Sequence, residues 1–520
     1  MTSPATYDAA AATRALIAVP GARAEYEDTG DQRQRARDKQ PPQADLLRLI
    51  GQHRYRYLRR KGVPYAVPWD GPAIALPLRA QANSSTGSLR QHLIRDFANT
   101  YDRTASQSAV ADAVNALDAL SMAAPEADVW LRVASDPRDP TVTWLDLGRP
   151  DGQSVRIAPD GWTLTDPDPE TGPVWRRSKL VGELPLPERP TGGWKSAMAA
   201  FAELLPFTDA TLPLAVAWVL AALRPELPRP IAYLTGEQGT GKSTSGRMLV
   251  GLLEGARTPL RQPPENSRDF GVTASAGWTL PLDNLSGIPE WLSDSLCRAV
   301  TGDAQTSRAL YSDDDVNVLD YQRPVLLTGI DVGAVENDLA ERMMPLELQP
   351  ITKRRTIADL WGAYASAHPQ ILGALLDLAV LVWAELPEAA EDLTDRPRMA
   401  DFIELLHALD RVTGWQGVPA YYATQDGLAD TVLDGQPVTA ALRDWASSAT
   451  FPADGWMGTM TELHALLSAR SPIGERWPRT PGVLSARLRK SAPALRSRGI
   501  NIIAPTSNKH GRRYTITVTV

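Results

Sequence analysis

The sequence is poor in residues that form disulfides and metal sites. Cys297 is the single cysteine among 520 residues, which excludes a disulfide within the chain and a cysteine-rich zinc site. The six histidines are scattered and form no metal-ligand cluster. So little cysteine is typical of proteins of a reducing cytosol.

Membrane signals and an overall positive charge are also lacking. Met1 is followed by Thr-Ser-Pro and an alanine run rather than by a basic and then an apolar segment, so no signal peptide is indicated. The apolar stretch 212–223 is too short to span a bilayer. The formal net charge is −7, so a surface that binds nucleic acid must be local. We expect a soluble, cytoplasmic protein without a membrane partner.

One motif carries most of the functional information. Residues 236–243, GEQGTGKS, match the phosphate-binding pattern G-x-x-x-x-G-K-[ST] at every fixed position. The apolar run 231–235 predicts a buried strand before it, and the spacing of apolar residues in 244–253 predicts a helix after it. The backbone N–H groups of such a loop and the positive end of the helix dipole bind phosphates. The motif predicts an ATP site formed by Gly236, Glu237, Gln238, Gly239, Thr240, Gly241, Lys242, Ser243 and Thr244.

The motif also predicts a catalytic Mg²⁺. Lys242 would reach the β- and γ-phosphates, while the Ser243 hydroxyl would bind Mg²⁺. Such a site needs an acidic residue at the end of another strand, and the apolar run 278–282 ends at Asp283. Thr328, in a further predicted strand, takes the place of a polar group that senses the γ-phosphate.

Arg342 is the candidate arginine finger. It follows a short predicted helix, and we expect it to reach the nucleotide of a neighbouring subunit. The alternative is a surface ion pair with Glu341 or Asp338.

The order of these segments resembles superfamily 3 helicases of the phage and plasmid primase-helicase type. Residues 301–311, TGDAQTSRALY, resemble the turn and arginine-containing β-hairpin of that family. The strings 236–244 and 283–289 also resemble ATP-binding proteins of actinobacterial phages and integrative elements. The resemblance covers about 195–350. It implies a homo-oligomeric, hexameric ring that hydrolyses ATP at subunit interfaces and moves along single-stranded or forked DNA, with the hairpin near Arg308 facing the pore.

The sequence departs from that family at three places. Asn284 stands where a second, water-activating carboxylate is usual, and Glu237, Glu290 and Asp303 are the replacements that can be named. Thr328 stands where the sensor is usually asparagine. The hairpin tip, 312–315, is acidic, and carboxylates repel phosphate. Either the tip points elsewhere, or Arg308 and Arg323 contact DNA, or the ATPase does not translocate.

The C-terminal segment is segregated in charge. From 476 to 520 there is no Asp or Glu but there are ten Lys and Arg residues, which is the electrostatic pattern of nucleic-acid binding. Two predicted helices followed by two strands and a polar turn fit a winged helix. The alternative is a module that binds protein. The predicted DNA contacts are Arg487, Arg489, Lys490, Lys509, Arg512 and Arg513.

The fold class predicted for the whole chain is α/β, with a P-loop, AAA+-like core. The expected parts are a disordered segment over 1–43, a small α+β domain over 44–180, a linker over 181–193, the ATPase core over 194–355, a helical bundle over 356–449 and a winged helix over 455–520. In the α+β domain, the basic cluster 54–61 predicts either phosphate contacts or a solvated helix face with its tyrosines packed inward.

The leading hypothesis is an ATP-dependent DNA helicase or replication ATPase of a phage or mobile element. A separate primase or other replication proteins would be additional partners. No acidic triad for primer synthesis is visible upstream, so primase activity is not predicted for this chain. One alternative is an ATP-controlled DNA-binding switch or regulator with slow hydrolysis. Another is an ATPase of phage defence, since the core alone does not fix the function.

Overall fold

The computed structural model describes residues 41–78, 87–168, 170–255, 259–302, 305–308, 316–319, 321–329, 335–352, 354–393, 398–470, 477–504 and 513–519, with the backbone alone for 305–308 and 316–319. The described residues fall into two compact units. The first runs to residue 157 and includes 163–183, and the second comprises 158–162 and the chain from 184 onwards.

The first unit begins with helices packed on a small antiparallel sheet. The helices are α1 (Gln43–Arg54), α2 (Leu89–Tyr101) and α3 (Gln107–Ser121), and the strands are β1 (Tyr55–Arg60), β2 (Val63–Pro68) and β3 (Leu76–Pro77), in the order β1-β2-β3. Helix α2 starts with a capping box in which Ser88 and Gln91 satisfy each other's backbone N–H groups. Leu47, Leu93 and Leu117 are fully buried in the core between the helices.

A second sheet completes this part of the chain. Its strands β5 (Val133–Ser135), β6 (Thr143–Asp146), β7 (Ser154–Ala158) and β8 (Gly161–Thr165) follow one another in space, and β4 (Val129–Trp130) pairs with β9 (Val174–Trp175). Arg132 lies between β4 and β5, fully buried. Its guanidinium donates to the carbonyls of Asp146 at 2.7 Å and Gly182 at 2.5 Å. These hydrogen bonds offset part of the free energy that it costs to bury a charged group.

The helix interpretation of the basic cluster 54–61 is wrong. Helix α1 ends at Arg54, and the residues after it form the hairpin β1–β2. Its two-residue turn, Lys61 and Gly62, has φ of 51° and 76°, which is the backbone of a type I′ hairpin turn. Arg54 pairs with Asp96 and Arg59 with Glu126.

The second unit is built on a parallel sheet. Its strands are β10 (Ile231–Thr235), β11 (Leu280–Leu282), β14 (Val325–Thr328) and β15 (Met343–Glu347), in the order β11-β14-β10-β15. The connecting helices are α6 (Lys242–Glu254), α7 (Ser267–Ala276), α8 (Glu290–Thr301) and the short α9 (Asn337–Ala340), and β12 (Gln305–Arg308) pairs with β13 (Val316–Leu319) as the predicted hairpin. The sheet strands are short and buried on both faces, as parallel strands usually are.

Helices surround this sheet. Before it come α4 (Gly193–Leu204) and α5 (Thr211–Ala222), and after it α10 (Ile357–Asp392), α11 (Ala400–Thr413) and α12 (Gly417–Gly435). Helix α10 is long and apolar enough to cross a membrane by length and composition, but 56% of its most apolar window is buried in the structure. It packs against α4 and α11, as the core helix of a helical layer does. Among the described residues, α10 is therefore the helix that is long and apolar enough to span a membrane, whereas the apolar stretch 212–223 is too short.

The C-terminal elements share a core of their own. They are α13 (Pro437–Ala446), β16 (Trp456–Thr459), α14 (Met460–Ser468), α15 (Pro481–Ser497), β17 (Ile500–Ile503) and β18 (Arg513–Val518), with the strand order β16-β18-β17. Leu463, Leu484 and Leu488 are buried in this core together with Trp477. Thr459 and Glu462 form the capping box of α14, so the start of this helix is specified locally.

Gly373 gives a test of how tightly α10 is packed. A Cβ at this position would lie 1.9 Å from the Glu188 carbonyl oxygen, whereas one at Gly362 of the same helix would meet nothing within 4 Å. We expect Gly373→Ala to lower the free energy of unfolding by about 1–3 kcal/mol. Gly362→Ala should leave it unchanged or raise it by about 0.5–1 kcal/mol. Chemical denaturation of both variants measures this, and equal stability of the two would contradict the packing.

Candidate functional site

The phosphate loop joins β10 to α6 at the carboxyl end of the sheet. Gly236, Gly239 and Gly241 have φ of 140°, 87° and 80°, a region that favours glycine. Gly241 immediately precedes α6, which begins at Lys242. The loop therefore directs backbone N–H groups and a helix N-terminus to the same place, which is the geometry of an anion site.

Two side chains of the loop fold back on it. Lys242 Nζ donates to the carbonyl oxygens of Gly236 at 2.8 Å and Glu237 at 3.0 Å. The Thr240 hydroxyl donates to the Glu237 carbonyl at 2.9 Å. These bonds brace the loop. A phosphate that Lys242 contacted would compete with two backbone carbonyls for its ammonium group.

Asp283 links two neighbouring strands to the phosphate loop. Its Oδ1 accepts a hydrogen bond from the Ser243 hydroxyl at 2.9 Å and another from the Thr328 hydroxyl. β11 and β14 are parallel neighbours in the sheet, so their carboxyl ends bring Asp283 and Thr328 together, where open α/β sheets bind their ligands. A carboxylate beside a Ser hydroxyl is a ligand set that suits Mg²⁺. Ser243 and Asp283 are thus together, as the sequence predicts.

Asn284 has an unusual backbone that Gly329 makes room for. Asn284 has φ of 57°, and asparagine is among the few residues that tolerate this left-handed region. Its N–H donates to the Thr328 hydroxyl at 3.1 Å, and Leu285 N–H donates to the Thr328 carbonyl at 3.0 Å. A Cβ at Gly329 would lie 2.8 Å from Asn284 Cα. Thr328 therefore holds Asp283 and Asn284 in place, and a contact with a γ-phosphate stays a prediction.

Arg342 lies at the opposite edge of the sheet from the phosphate loop. Its carbonyl accepts from Ile231 N–H at the start of β10, and Ile231 pairs with Met343 while Thr235 pairs with Glu347. The length of these five paired residues separates Arg342 from the loop, roughly 15 Å. The loop of the same chain is therefore beyond the reach of this side chain.

Arg342 is paired and mostly buried in this structure. Its Nη1 is 2.7 Å from Asp338 Oδ2 and also donates to the Asp338 carbonyl. Burial would raise the pKa of Asp338, but Arg342 and then Arg398 lower it overall, so the carboxylate stays charged at neutral pH. Burial also raises the pKa of the neighbouring Cys297 to about 12, and its thiol donates to Asp338 at 3.4 Å. The ion pair with Asp338 that the alternative predicts is present, between an Arg342 side chain that is 11% exposed and an Asp338 side chain that is 58% exposed.

The segment after β15 passes over the phosphate loop, which the sequence did not indicate. Leu348 N–H donates to the Thr235 carbonyl at 3.0 Å. Beyond it, two side chains lie close to the glycines of the loop. A Cβ added at Gly241 would be 3.4 Å from Ile351 Cδ1, and a Cβ added at Gly239 would be 3.7 Å from Arg354 Nη2. The exposed Arg354 is thus a second cation beside the loop. In the sequence, the one feature that could have pointed to Arg354 is its position shortly after a strand that ends beside the loop.

The predicted DNA contacts near the hairpin differ in their surroundings. Arg308 ends β12, and the acidic tip 312–315 and Asp303 lie outside the described residues. Arg323 is half-buried, donates to the carbonyls of Ala274 at 2.8 Å and Gln322 at 2.9 Å, and lies over the Trp278 ring. These partners give Arg323 a structural role, and its contact with DNA stays a prediction.

The three predicted DNA contacts on α15 are exposed. Arg487, Arg489 and Lys490 lie on this helix, while Arg513 begins β18 and is also exposed. Lys509 and Arg512 lie outside the described residues. Arg487 and Lys490 line a cleft of about 820 Å³ together with the loop 286–289, which follows Asp283 and Asn284.

Helix α15 is hydrogen-bonded to the short helix α9 beside this cleft. Asn337, the first residue of α9, donates to the Lys490 carbonyl at 3.2 Å and to the Ser491 hydroxyl at 3.0 Å. Gln436 donates to Asn337 at 3.3 Å and accepts from Ser491 at 3.3 Å. Ser491 is buried. The short helix whose Asp338 holds Arg342 is therefore bonded directly to the helix that carries the basic residues.

Two family models match the chain. The first is described as an actinomycete integrative conjugative element replication protein and matches residues 199–431. The second, the C-terminal domain of the RepA protein of these elements, matches residues 438–519, so that the two together cover more than half of the chain. The chain belongs to this family of replication proteins. The resemblance to proteins of actinobacterial integrative elements is thereby confirmed, and both the phosphate loop and α15 lie within matched regions.

Several solved structures are similar to this replication protein. An active helicase, SCCmec type IV Cch, is 12% identical with a TM-score of 0.47, over 89% of this chain and 92% of that one. The NrS-1 C-terminal region is 10% identical with a TM-score of 0.38, over 92% and 100%. An MCM homologue from Methanopyrus kandleri is 12% identical with a TM-score of 0.28, over 70% and 92%. None of the curated proteins compared with the chain matches it. At these TM-scores the likeness assigns no activity.

Gly329→Ala tests the contact that positions Asp283. The added Cβ would displace Asn284, and a left-handed φ of 85° at position 329 adds strain. We expect nucleotide hydrolysis to fall on the order of a hundredfold, because shifts of about 1 Å in a catalytic group have effects of that size. Gly287→Ala, in the connection that contains Asn284 but with open space around its Cβ, is the control. Equal activity of the two variants would show that Gly329 does not set the site.

Proposed function

We propose that this replication protein is an ATP- and Mg²⁺-dependent helicase or replication ATPase of a mobile element, acting on DNA as a ring-forming homo-oligomer. The observation that carries the proposal is the Asp283 carboxylate, bonded to the Ser243 hydroxyl beside a complete phosphate loop. Membership in a family of replication proteins supports the same activity.

The described residues suggest a division of work in hydrolysis. The loop N–H groups and Lys242 would bind the β- and γ-phosphates, and Ser243 and Asp283 would hold Mg²⁺, which supplies charge stabilisation. Thr328 would orient Asp283 through the bond that its hydroxyl donates. Arg354 would add a positive charge next to Gly239. For the attacking water, Glu237 and Glu290 are the exposed carboxylates that remain as candidates among the described residues.

The proposal requires a second copy of the chain at the site. Because Arg342 lies at the far edge of its own sheet, a role in hydrolysis is open to it only at a neighbour's nucleotide. It would have to leave Asp338 to do so. Its Nε is buried without a hydrogen-bond partner among the described residues, which lowers the cost of releasing it. A ring of six copies would place one Arg342 at each interface.

The C-terminal elements support a winged-helix DNA-binding module. A helix, a strand, two helices and a strand pair, with β18 between β16 and β17, is the arrangement expected of that fold. Arg487, Arg489 and Lys490 on α15 are exposed to solvent, as side chains that contact phosphates must be. DNA would bind there and along the cleft next to α8.

A slow, ATP-controlled switch is the second candidate. Asn284 favours it, because this exposed side chain next to Asp283 cannot take a proton from water as a carboxylate does. The two candidates share the nucleotide site and differ in turnover.

The first test is steady-state ATP hydrolysis with and without single-stranded DNA. A motor predicts turnover that DNA stimulates, since translocation couples the two. Lys242→Ala should abolish turnover and serves as the blank. Simultaneous neutralisation of Arg487, Arg489 and Lys490 should remove the stimulation and leave the basal rate. ATP binding without turnover in either condition would favour the switch, and no ATP binding at all would refute the nucleotide site.

Mixing two inactive variants tests the position of Arg342. Arg342→Ala should bind ATP but hydrolyse it about 10³-fold more slowly, whereas Lys242→Ala lacks the phosphate contact. In a mixture, interfaces that join an intact loop to an intact Arg342 should recover part of the activity. Arg398→Ala, which removes another partner of Asp338, is the control and should keep most of the activity. Mixtures that stay as inactive as their components would rule out a shared site.

A further inference from the structure

A cavity in the first unit lies outside both regions that the family models match. Its volume is about 450 Å³, in the range of small-molecule pockets. Pro68, Pro72 and Ile74 form an apolar wall made rigid by its prolines. The facing wall is polar and comes from the end of α1, the start of β1 and one face of α2.

Asp96 organises the polar wall. Its side chain is 2% exposed, and it accepts a hydrogen bond from the Tyr55 hydroxyl at 3.0 Å. Arg95 donates to Oδ1 through both Nε and Nη2 at 3.1 Å, and Arg54 Nη1 is 3.2 Å from the same oxygen. One buried carboxylate therefore holds two guanidinium groups, and the cluster keeps a net positive charge.

The two guanidinium groups remain accessible. The side chains of Arg54 and Arg95 are 37% and 59% exposed, so their further N–H groups can reach a ligand in the cavity. His92 lies beside them, with its Nδ1 3.4 Å from Arg95 Nη2. Burial and then Arg95 lower the pKa of His92, so a neutral imidazole is available for a hydrogen bond at pH 7. Asp70, exposed at the rim, is the other carboxylate of the lining.

This arrangement fits an anion with several oxygens. Guanidinium groups bind phosphate through paired, directional hydrogen bonds, and here Asp96 fixes two of them before any ligand arrives. The proline wall opposite suits a flat apolar group, and the cavity is deep enough for more than the anion alone. A phosphate carried on a nucleoside combines the two requirements.

We propose that this cavity binds a phosphate monoester of a nucleoside, with Arg54 and Arg95 contacting the phosphate and the proline wall packing against the nucleoside. The same chemistry is present in a free mononucleotide and at the 5′-phosphorylated end of a DNA strand. The proposal does not depend on the phosphate loop, since all of its residues belong to the first unit.

Calorimetric titration of the full chain carrying Lys242→Ala tests the proposal, because that background removes nucleotide binding at the phosphate loop. We expect AMP to bind and adenosine to bind at least about tenfold more weakly. Arg95→Ala should weaken AMP binding about tenfold to a hundredfold. It leaves Asp96 bonded to Tyr55 and Arg54, so the variant should fold. Arg90→Ala, on the same helix but outside the lining, should bind AMP normally.

Oligonucleotides distinguish whether the bound phosphate belongs to a free mononucleotide or to the end of a DNA strand. A DNA strand with a 5′-phosphate that binds more tightly than AMP, and loses this advantage when it ends in a 5′-hydroxyl, identifies a DNA end. Tighter binding of AMP identifies a free nucleotide. Equal binding of AMP and adenosine, or the same affinity in folded Arg95→Ala and Arg90→Ala, overturns the proposal, as does the absence of AMP binding.

Discussion

The candidate site depends on one carboxylate. Asp283 accepts hydrogen bonds from Ser243 on the helix after β10 and from Thr328 at the end of β14, and so ties the phosphate loop to two other parts of the sheet. The bonds are available because parallel strands end at the same edge. Gly329 and the left-handed Asn284 follow from the same constraint, since the two backbones can approach this closely only without a Cβ at position 329.

The sequence was sufficient to predict the position of the residues that belong to a local motif. The loop 236–243, the strand before it and the helix after it could be predicted because each is specified by neighbours in the chain, as could the pairing of Ser243 with Asp283. The strand 55–60 was missed because its alternation is weak, and the signal lay in the Lys61–Gly62 turn. Arg354 and the cluster around Asp96 could not be predicted, since distant segments meet there.

The C-terminal helix α15 contacts the short helix α9 through polar groups. Asn337 contacts Ser491 and the Lys490 carbonyl, and the next residue, Asp338, holds Arg342. Hydrogen bonds of this kind have a small net free energy in exchange with water, so they add little to the stability of the contact between α15 and α9. A ligand that moved α15 would act on α9 through Asn337 and through the ion pair of Lys490 with Glu336, and thereby on the arginine that the proposal assigns to the neighbouring subunit.

The distance between Arg342 and the phosphate loop also bears on how such a protein is controlled in the cell. If each site is completed by another copy, the active species forms only above a threshold amount of protein, and its abundance rises more steeply than gene dosage. A modest rise in the amount of the protein would then raise the amount of the active species disproportionately.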